Sequence, residues 1–263
     1  MTVGQWSRRA AITSVLLIIP GASFASSVDD LLRAYPDSLA GFDGIDLIWR
    51  DGSRMPVDDG HPDKSMEEQL RHGSILDQLR LPYPAGEPIP PSPQQDPGRV
   101  RNRAFFNKMY GDCTKGEVTP KLVPVVWLPK TWGHVVSITA VNNVDRHLSA
   151  ISRELDELPA DDKKYLYPVG GTYVCRHVAD TSQTSMHGWG AAIDINPALS
   201  DYWLWHRASA GEPTYVNRIP ADIVAIFERH GFIWGGRWAH FDTMHFEYRP
   251  ELLSPDAALS QTR

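Results

Sequence analysis

Cysteine is nearly absent from this chain: Cys113 and Cys175 stand alone. Such a pair leaves room for one disulfide in an oxidising compartment or for two buried free thiols. Runs of basic residues are missing too, and the net charge is -6, which argues against a nucleic-acid partner. Low-complexity segments and internal repeats are absent, which excludes a repeat architecture. No uncharged apolar run is long enough to span a bilayer, for the leading candidate is only Ala10 to Ile19. What is present is a hydrophobic content of 42%, enough for the core of one main globular domain with appendages.

The apolar run near the start reads as part of a secretory signal over residues 1–25. Arg8 and Arg9 form the basic portion, Pro20 and Gly21 break the run, and Ser23-Phe24-Ala25 supplies small residues for cleavage. An uncleaved membrane anchor is the competing reading, and Ser-Arg-Arg also hints at twin-arginine export. Cleavage would remove Arg8 and Arg9 and no acid, taking the charge from -6 to -6 - 2 = -8. The expected location is therefore periplasmic or secreted, with no stable membrane span after cleavage. There Cys113 and Cys175 can bridge, closing a long loop worth on the order of 4 kcal/mol in the chain-entropy picture.

The chemistry concentrates in Ser185-Met-His-Gly-Trp-Gly-Ala-Ala-Ile-Asp194. His187 and Asp194 are a nitrogen and a carboxylate of the kind zinc binds. Gly188 and Gly190 allow a tight turn between them. Ala192, Asp194 and Asn196 alternate with Ile193 and Ile195, the pattern of a strand with one polar and one apolar face. A catalytic zinc site needs a third protein ligand and an open position. His245 offers it, at the start of the alternating run His-Phe-Glu-Tyr, and Asp242 three residues earlier suits a general base. Glu247, on the same strand face as His245, is the rival for that role or an orienter of a ligand.

Taken together these residues resemble the zinc peptidases of bacterial cell-wall peptides, the D-alanyl-D-alanine carboxypeptidase and L-alanyl-D-glutamate peptidase family. Ser-x-His-x-x-Gly-x-Ala-x-Asp matches at every fixed position from Ser185 to Asp194, and Asp/Glu-x-x-His matches at Asp242 to His245. Trp234-Gly-Gly-Arg-Trp238 and the Asp at 242 are similar to the L-alanyl-D-glutamate branch. The resemblance covers roughly residues 100–250. It departs from the family at Asp180, where Gly is more usual. It implies Zn2+ held by His187, Asp194 and His245, with Asp242 as base for a metal-activated water. It implies Arg176 as a substrate-binding residue and Ser185 as a second one, although Ser185 could merely cap its turn. The implied partner is a peptidoglycan stem peptide bearing D-residues.

The rest of the chain organises around this site. The expected fold class is α+β: a small antiparallel sheet carrying the zinc site, flanked by helices, with an N-terminal extension. The expected division is a signal at 1–25, an extension at 26–81, a Pro-rich connector at 82–98, a peptidase domain at 99–252 and a tail at 253–263. Within the extension, Ile45 to Trp49 reads as a strand and Ser65-x-x-Glu68 as a capping box. The connector holds Pro82, Pro84, Pro88, Pro90, Pro91, Pro93 and Pro97 and reads as a semi-rigid strap across the domain or a proline-recognition ligand. Arg99 to Tyr110 reads as a helix. Leu122 to Leu128 and Val135 to Val141 read as a hairpin, and Val144, Leu148, Ile151, Leu155 and Leu158 as the core stripe of a helix. Residues 198–218 form an aromatic loop, either a lid or a local mini-core. Pro220 opens a helix that Gly231 closes, and Phe232 to Trp234 follows as a strand.

His134, His147, His177, His206, His230 and His240 belong to no multi-residue pattern and read as structural, and His61 and His72, with no partner set, as surface residues. Two further functions stay open beside hydrolysis of the stem peptide by a monomeric zinc carboxypeptidase or endopeptidase. One is a cell-wall binding module of the same fold without catalysis; the other is a zinc peptidase acting on a different exported peptide.

Overall fold

The computed structural model describes Met1 and residues 27–86, 95–176, 183–206 and 214–253. The signal segment after Met1, the middle of the Pro-rich connector, His177, Asp180 and almost all of the tail lie outside the described residues. Among the described residues no helix is long and apolar enough to cross a membrane.

Short polar caps start the N-terminal elements. Helix α1 (Val28–Ala34) opens on Ser27, whose hydroxyl accepts from the Asp30 amide while the Asp30 carboxylate accepts from the Ser27 amide. A three-stranded antiparallel sheet follows, β1 (Leu39–Phe42), β2 (Asp46–Trp49) and β3 (Arg54–Pro56), in that order. Helices α2 (Met66–His72) and α3 (Ile75–Leu79) are each opened by a Ser capping box, Ser65 with Glu68 and Ser74 with Asp77. The expected capping box at Ser65 is therefore present.

Helix α4 spans Arg103–Tyr110 rather than starting at Arg99. Asn102 accepts from the Phe105 amide and so fixes the first turn there. Residues 99–101 stay irregular, which frees the side chains of Arg99 and Arg101 to face the site. The helix buries Phe105, Phe106, Met109 and Tyr110. Strands β4 (Leu122–Trp127) and β5 (His134–Thr139) form the expected hairpin, Leu122 opposite Thr139 and Trp127 opposite His134. Helix α5 (Val144–Leu155) lies on β4 and buries Val144, Leu148, Ile151 and Leu155. Leu158 falls beyond its end but still packs against the core. A single turn, α6 (Ala160–Lys163), leads toward the site.

The last sheet is small, antiparallel and ordered β6 (Ala192–Asp194), β8 (His245–Tyr248), β7 (Phe232–Trp234). Strand β6 stops sooner than the alternation to Asn196 predicts, because the Asn196 side chain caps the next turn through the Ala198 amide. Helix α7 (Ala221–Arg229) packs on β7. Pro220 precedes its first residue, and Gly231 (φ +87°) turns the chain back into the sheet. The chain is thus α+β, with an antiparallel sheet at the site and helices around it.

One core joins all of this. Tyr35 of the N-terminal segment packs edge-on to Phe105 at 6.1 Å and to Tyr248 at 6.5 Å, and its hydroxyl donates to Glu251 at 2.6 Å. Phe227 of α7 stacks on Phe246 of β8 with ring centroids 3.8 Å apart. Phe105 sits between Tyr35, Trp49 and Phe106. Phe105→Ala should therefore lower unfolding stability by about 3–5 kcal/mol. The midpoint of chemical denaturation checks this, and a loss below about 1 kcal/mol would mean that the N-terminal segment does not share the core.

Candidate metal centre and active cleft

Strand register sets two of the predicted ligands face to face. Asp194 pairs directly with His245 across β6 and β8, and directly opposed residues put their side chains on one face of the sheet. Glu247 follows His245 on that face, whereas Phe246 turns into the core against Phe227. His187 arrives from a short 3₁₀ turn, Met186–Trp189, capped by the Ser185 hydroxyl. Trp189 moors that turn to α4 by donating to the Asn107 side chain at 2.8 Å and packing on Phe106. Gly190 closes the turn at φ +66°, and a Cβ there would meet the Leu122 side chain at 2.6 Å. Gly188 serves close packing instead of a left-handed turn, for a Cβ on it would meet Thr184 at 2.8 Å.

Three ligand atoms converge. His187 Nε2 lies 3.1 Å from Asp194 Oδ1 and 3.1 Å from His245 Nδ1, and His245 Nδ1 lies 3.0 Å from the same carboxylate oxygen. The far nitrogen of each ring is already committed. His187 Nδ1 is 3.0 Å from the Thr172 carbonyl, and His245 Nε2 is 2.9 Å from Glu247. Both partners can only accept, so these nitrogens carry the protons and the two facing nitrogens present lone pairs. Two lone pairs and a carboxylate oxygen repel one another unless a proton or a metal cation lies between them. Outer partners of this kind are what orient metal-binding histidines. The donor set, two imidazoles and one carboxylate, is of a kind that zinc binds.

The electrostatics agree with a site built for positive charge. Burial opposes protonation of His245, yet Asp194 and Glu247 outweigh it and raise its pKa to about 10. Burial raises the Asp194 pKa, but His187 and His245 hold it far below the usual carboxylate range. Asp242 behaves in the opposite way: burial and then the charge of Asp194 push it up to about 7. Its Oδ1 is buried and has no hydrogen-bond partner among the described residues, so it can serve a water or substrate proton.

A cleft of about 320 Å³ opens over these groups, lined among others by Arg99, Arg176, Ser185, Tyr202, Trp238 and Asp242. Arg176 is exposed on an extended stretch that lies beside the His187 turn, its carbonyl accepting from the Ser185 amide. Ser185 both caps the turn and lines the cleft. Glu247 does not reach the cleft lining: it is wholly buried, bonded to His245, paired with Arg101 and 3.4 Å from Arg249. These cations outweigh its burial and hold its pKa at about 2. The aromatic loop splits between its two expected roles. Tyr215 packs on Phe241 and donates to the Gly236 carbonyl, whereas Trp205 stands 60% exposed at the rim of the cleft; residues 207–213 lie outside the described residues.

Cys113 and Cys175 are bridged, with Cα atoms 5.6 Å apart, and this ties the segment before Arg176 to the turn after α4. Other described histidines have partners elsewhere: His206 bonds Asp201, His230 bonds Glu154 and His240 bonds Asp96. Motif reading missed Thr172, Arg101 and Arg99, which sit outside both motifs.

Residues 179–248 match a peptidase family model described as D-alanyl-D-alanine carboxypeptidase. The match takes in both motifs, ends with β8 and supports the peptidase family that the motifs resemble. No curated protein and no solved structure matches the chain significantly.

Two outcomes follow from the geometry. Glu247→Gln should weaken divalent-metal affinity about 10- to 100-fold by loosening the grip on His245. Chelator competition on folded protein checks it, and unchanged affinity would separate Glu247 from the metal centre. Replacing both cysteines by Ser should cost up to about 4 kcal/mol of stability for a loop of this length, read by denaturation of the oxidised parent and the variant side by side.

Proposed function

We propose that this protein is an exported zinc peptidase that hydrolyses peptidoglycan stem peptides, either as a D-alanyl-D-alanine carboxypeptidase or as an L-alanyl-D-glutamate endopeptidase. The observation that carries the reading is the convergence of His187 Nε2, Asp194 Oδ1 and His245 Nδ1, with both outer ring nitrogens already committed. The family match over residues 179–248 supports the peptidase class and the substrate type. The apolar, Arg-headed N-terminal sequence supports export.

His187, Asp194 and His245 would hold the zinc. Bound there, the metal supplies a Lewis acid that acidifies water and polarises a carbonyl. Asp242 takes the proton from the attacking water and passes it to the leaving amine. Its raised pKa keeps it near the pH at which both transfers are easy. Arg176, exposed at the cleft edge, receives a substrate carboxylate or the developing oxyanion. Ser185 contributes its hydroxyl to the same wall while capping the His187 turn. Glu247 is the orienter of His245, and its committed oxygens leave Asp242 as the base. Stem peptide is the partner this assigns.

The experiment is incubation of the zinc-loaded mature chain with peptidoglycan fragments and mass spectrometry of the products. Loss of a terminal alanine or scission between alanine and glutamate is expected. If neither occurs, the catalytic reading gives way to the binding module or another exported peptide. Asp242→Asn should keep its metal and lose about 10²- to 10⁴-fold in turnover, the usual contribution of a general base. His245→Ala should lose metal and activity together, measured by metal analysis and the same assay.

A further inference from the structure

Among the guanidinium groups lining the cleft, Arg99 is placed differently from the others. Arg101 is buried and tied to Glu247. Arg176 stands exposed at the edge. Arg99 is largely covered, its side chain only 15% exposed, yet its guanidinium makes no hydrogen bond to any described residue. Its nearest acid is Asp96, at 3.8 Å, beyond hydrogen-bond distance. That carboxylate is already filled by His240, through the backbone amide at 2.9 Å and the ring Nδ1 at 2.7 Å.

The backbone around Arg99 is firmly held. Trp238 donates its indole N–H to the Pro97 carbonyl at 2.6 Å, and the Ala239 amide donates to the Gln95 carbonyl at 2.8 Å. The guanidinium itself sits 5.8 Å from the Trp238 ring centroid, and Trp238 in turn packs on His245. Arg99 is thus a cation lining the cleft whose planar fork of donors makes no hydrogen bond among the described residues. The 3.8 Å ion pair with Asp96 leaves its hydrogen-bond donors available, and a fork of this shape fits a carboxylate with two parallel bonds. The acids of the cleft cannot supply that carboxylate, since Asp194 faces the two histidines and Asp242 faces the reaction. Arg99 and Arg176 line the same cleft as Asp242 and Tyr202, which places them within reach of one bound peptide.

Building on the peptidase reading, we propose that Arg99 is a specificity-determining residue that receives a second substrate carboxylate, distinct from the one Arg176 receives. The cleft then selects peptides carrying two acid groups near the scissile bond and discriminates against those in which the second is an amide.

The test compares wild type, Arg99→Gln and Arg99→Lys on stem peptides with all carboxylates free and with each carboxylate amidated in turn. Arg99→Gln should lower kcat/KM on a free-acid peptide by about 10- to 100-fold, mainly through KM, the scale of hydrogen bonds to a charged group. It should have no effect on the peptide whose matching carboxylate is amidated, and Arg99→Lys should recover part of the loss. An equal loss on every peptide, accompanied by a lowered Tm, would mean that Arg99 only braces Trp238; no loss anywhere would remove it from recognition. A calorimetric arm separates this from failure of the peptidase reading. In metal-loaded Asp242→Asn protein, adding Arg99→Gln should weaken binding of the free-acid peptide and spare the amidated one. Equal binding of the two, or none, overturns the proposal even if no peptide is ever cleaved, whereas selective weakening upholds it.

Discussion

The Glu247 carboxylate, buried behind β8, is the group on which the site and much of the fold depend. A charge with no access to water must be paired and hydrogen-bonded to be tolerated. Glu247 meets this with His245 on one side and Arg101 and Arg249 on the other. Arg249 also binds Glu251, and Glu251 accepts from Tyr35 of the N-terminal segment. His245, Arg249 and Glu251 lie on or just after β8, whereas Arg101 and Tyr35 come from distant parts of the chain. The pairing that aims one ligand ring is thus also the junction of the irregular stretch before α4, the central strand and the first described helix.

Strand β8 divides its work by face. His245 and Glu247 point toward the polar side and carry the site. Phe246 faces away and stacks on Phe227. Alternation along four residues therefore couples hydrophobic packing to ligand geometry: a slip of one residue in the pairing with β6 would bury the ligands and expose the ring. The register that sets Asp194 opposite His245 is fixed by the same apolar contacts that hold the sheet.

The elements legible in the sequence were those with local pattern. The hairpin of β4 and β5, the stripe of α5, the capping box at Ser65 and the closing glycine of α7 all appear where short-range spacing put them. The converging residues at 187, 194 and 245 were legible because motifs hold acid and imidazole at fixed intervals. What escaped was contributed across long separations. Arg101 reaches Glu247 over 146 positions, and nothing near Arg101 announces a carboxylate. Thr172 acts through its carbonyl oxygen, which every residue has and no sequence pattern marks. The early start expected for α4 failed for a local reason, the Asn102 cap, whose competing signal was outweighed by the helix-favouring residues before it.

The order of the strands has a consequence for when this protein becomes competent. The centre of the ligand-bearing sheet is its last strand in sequence, flanked by β6 and β7, which have no contact with each other in the sheet without it. While the chain is being synthesised, His187 and Asp194 are present before His245 and the pairing that aligns them. A metal ion met at that stage finds a partial, flexible site. Assembly of the centre therefore waits on the pairing of β8 with both of its neighbours.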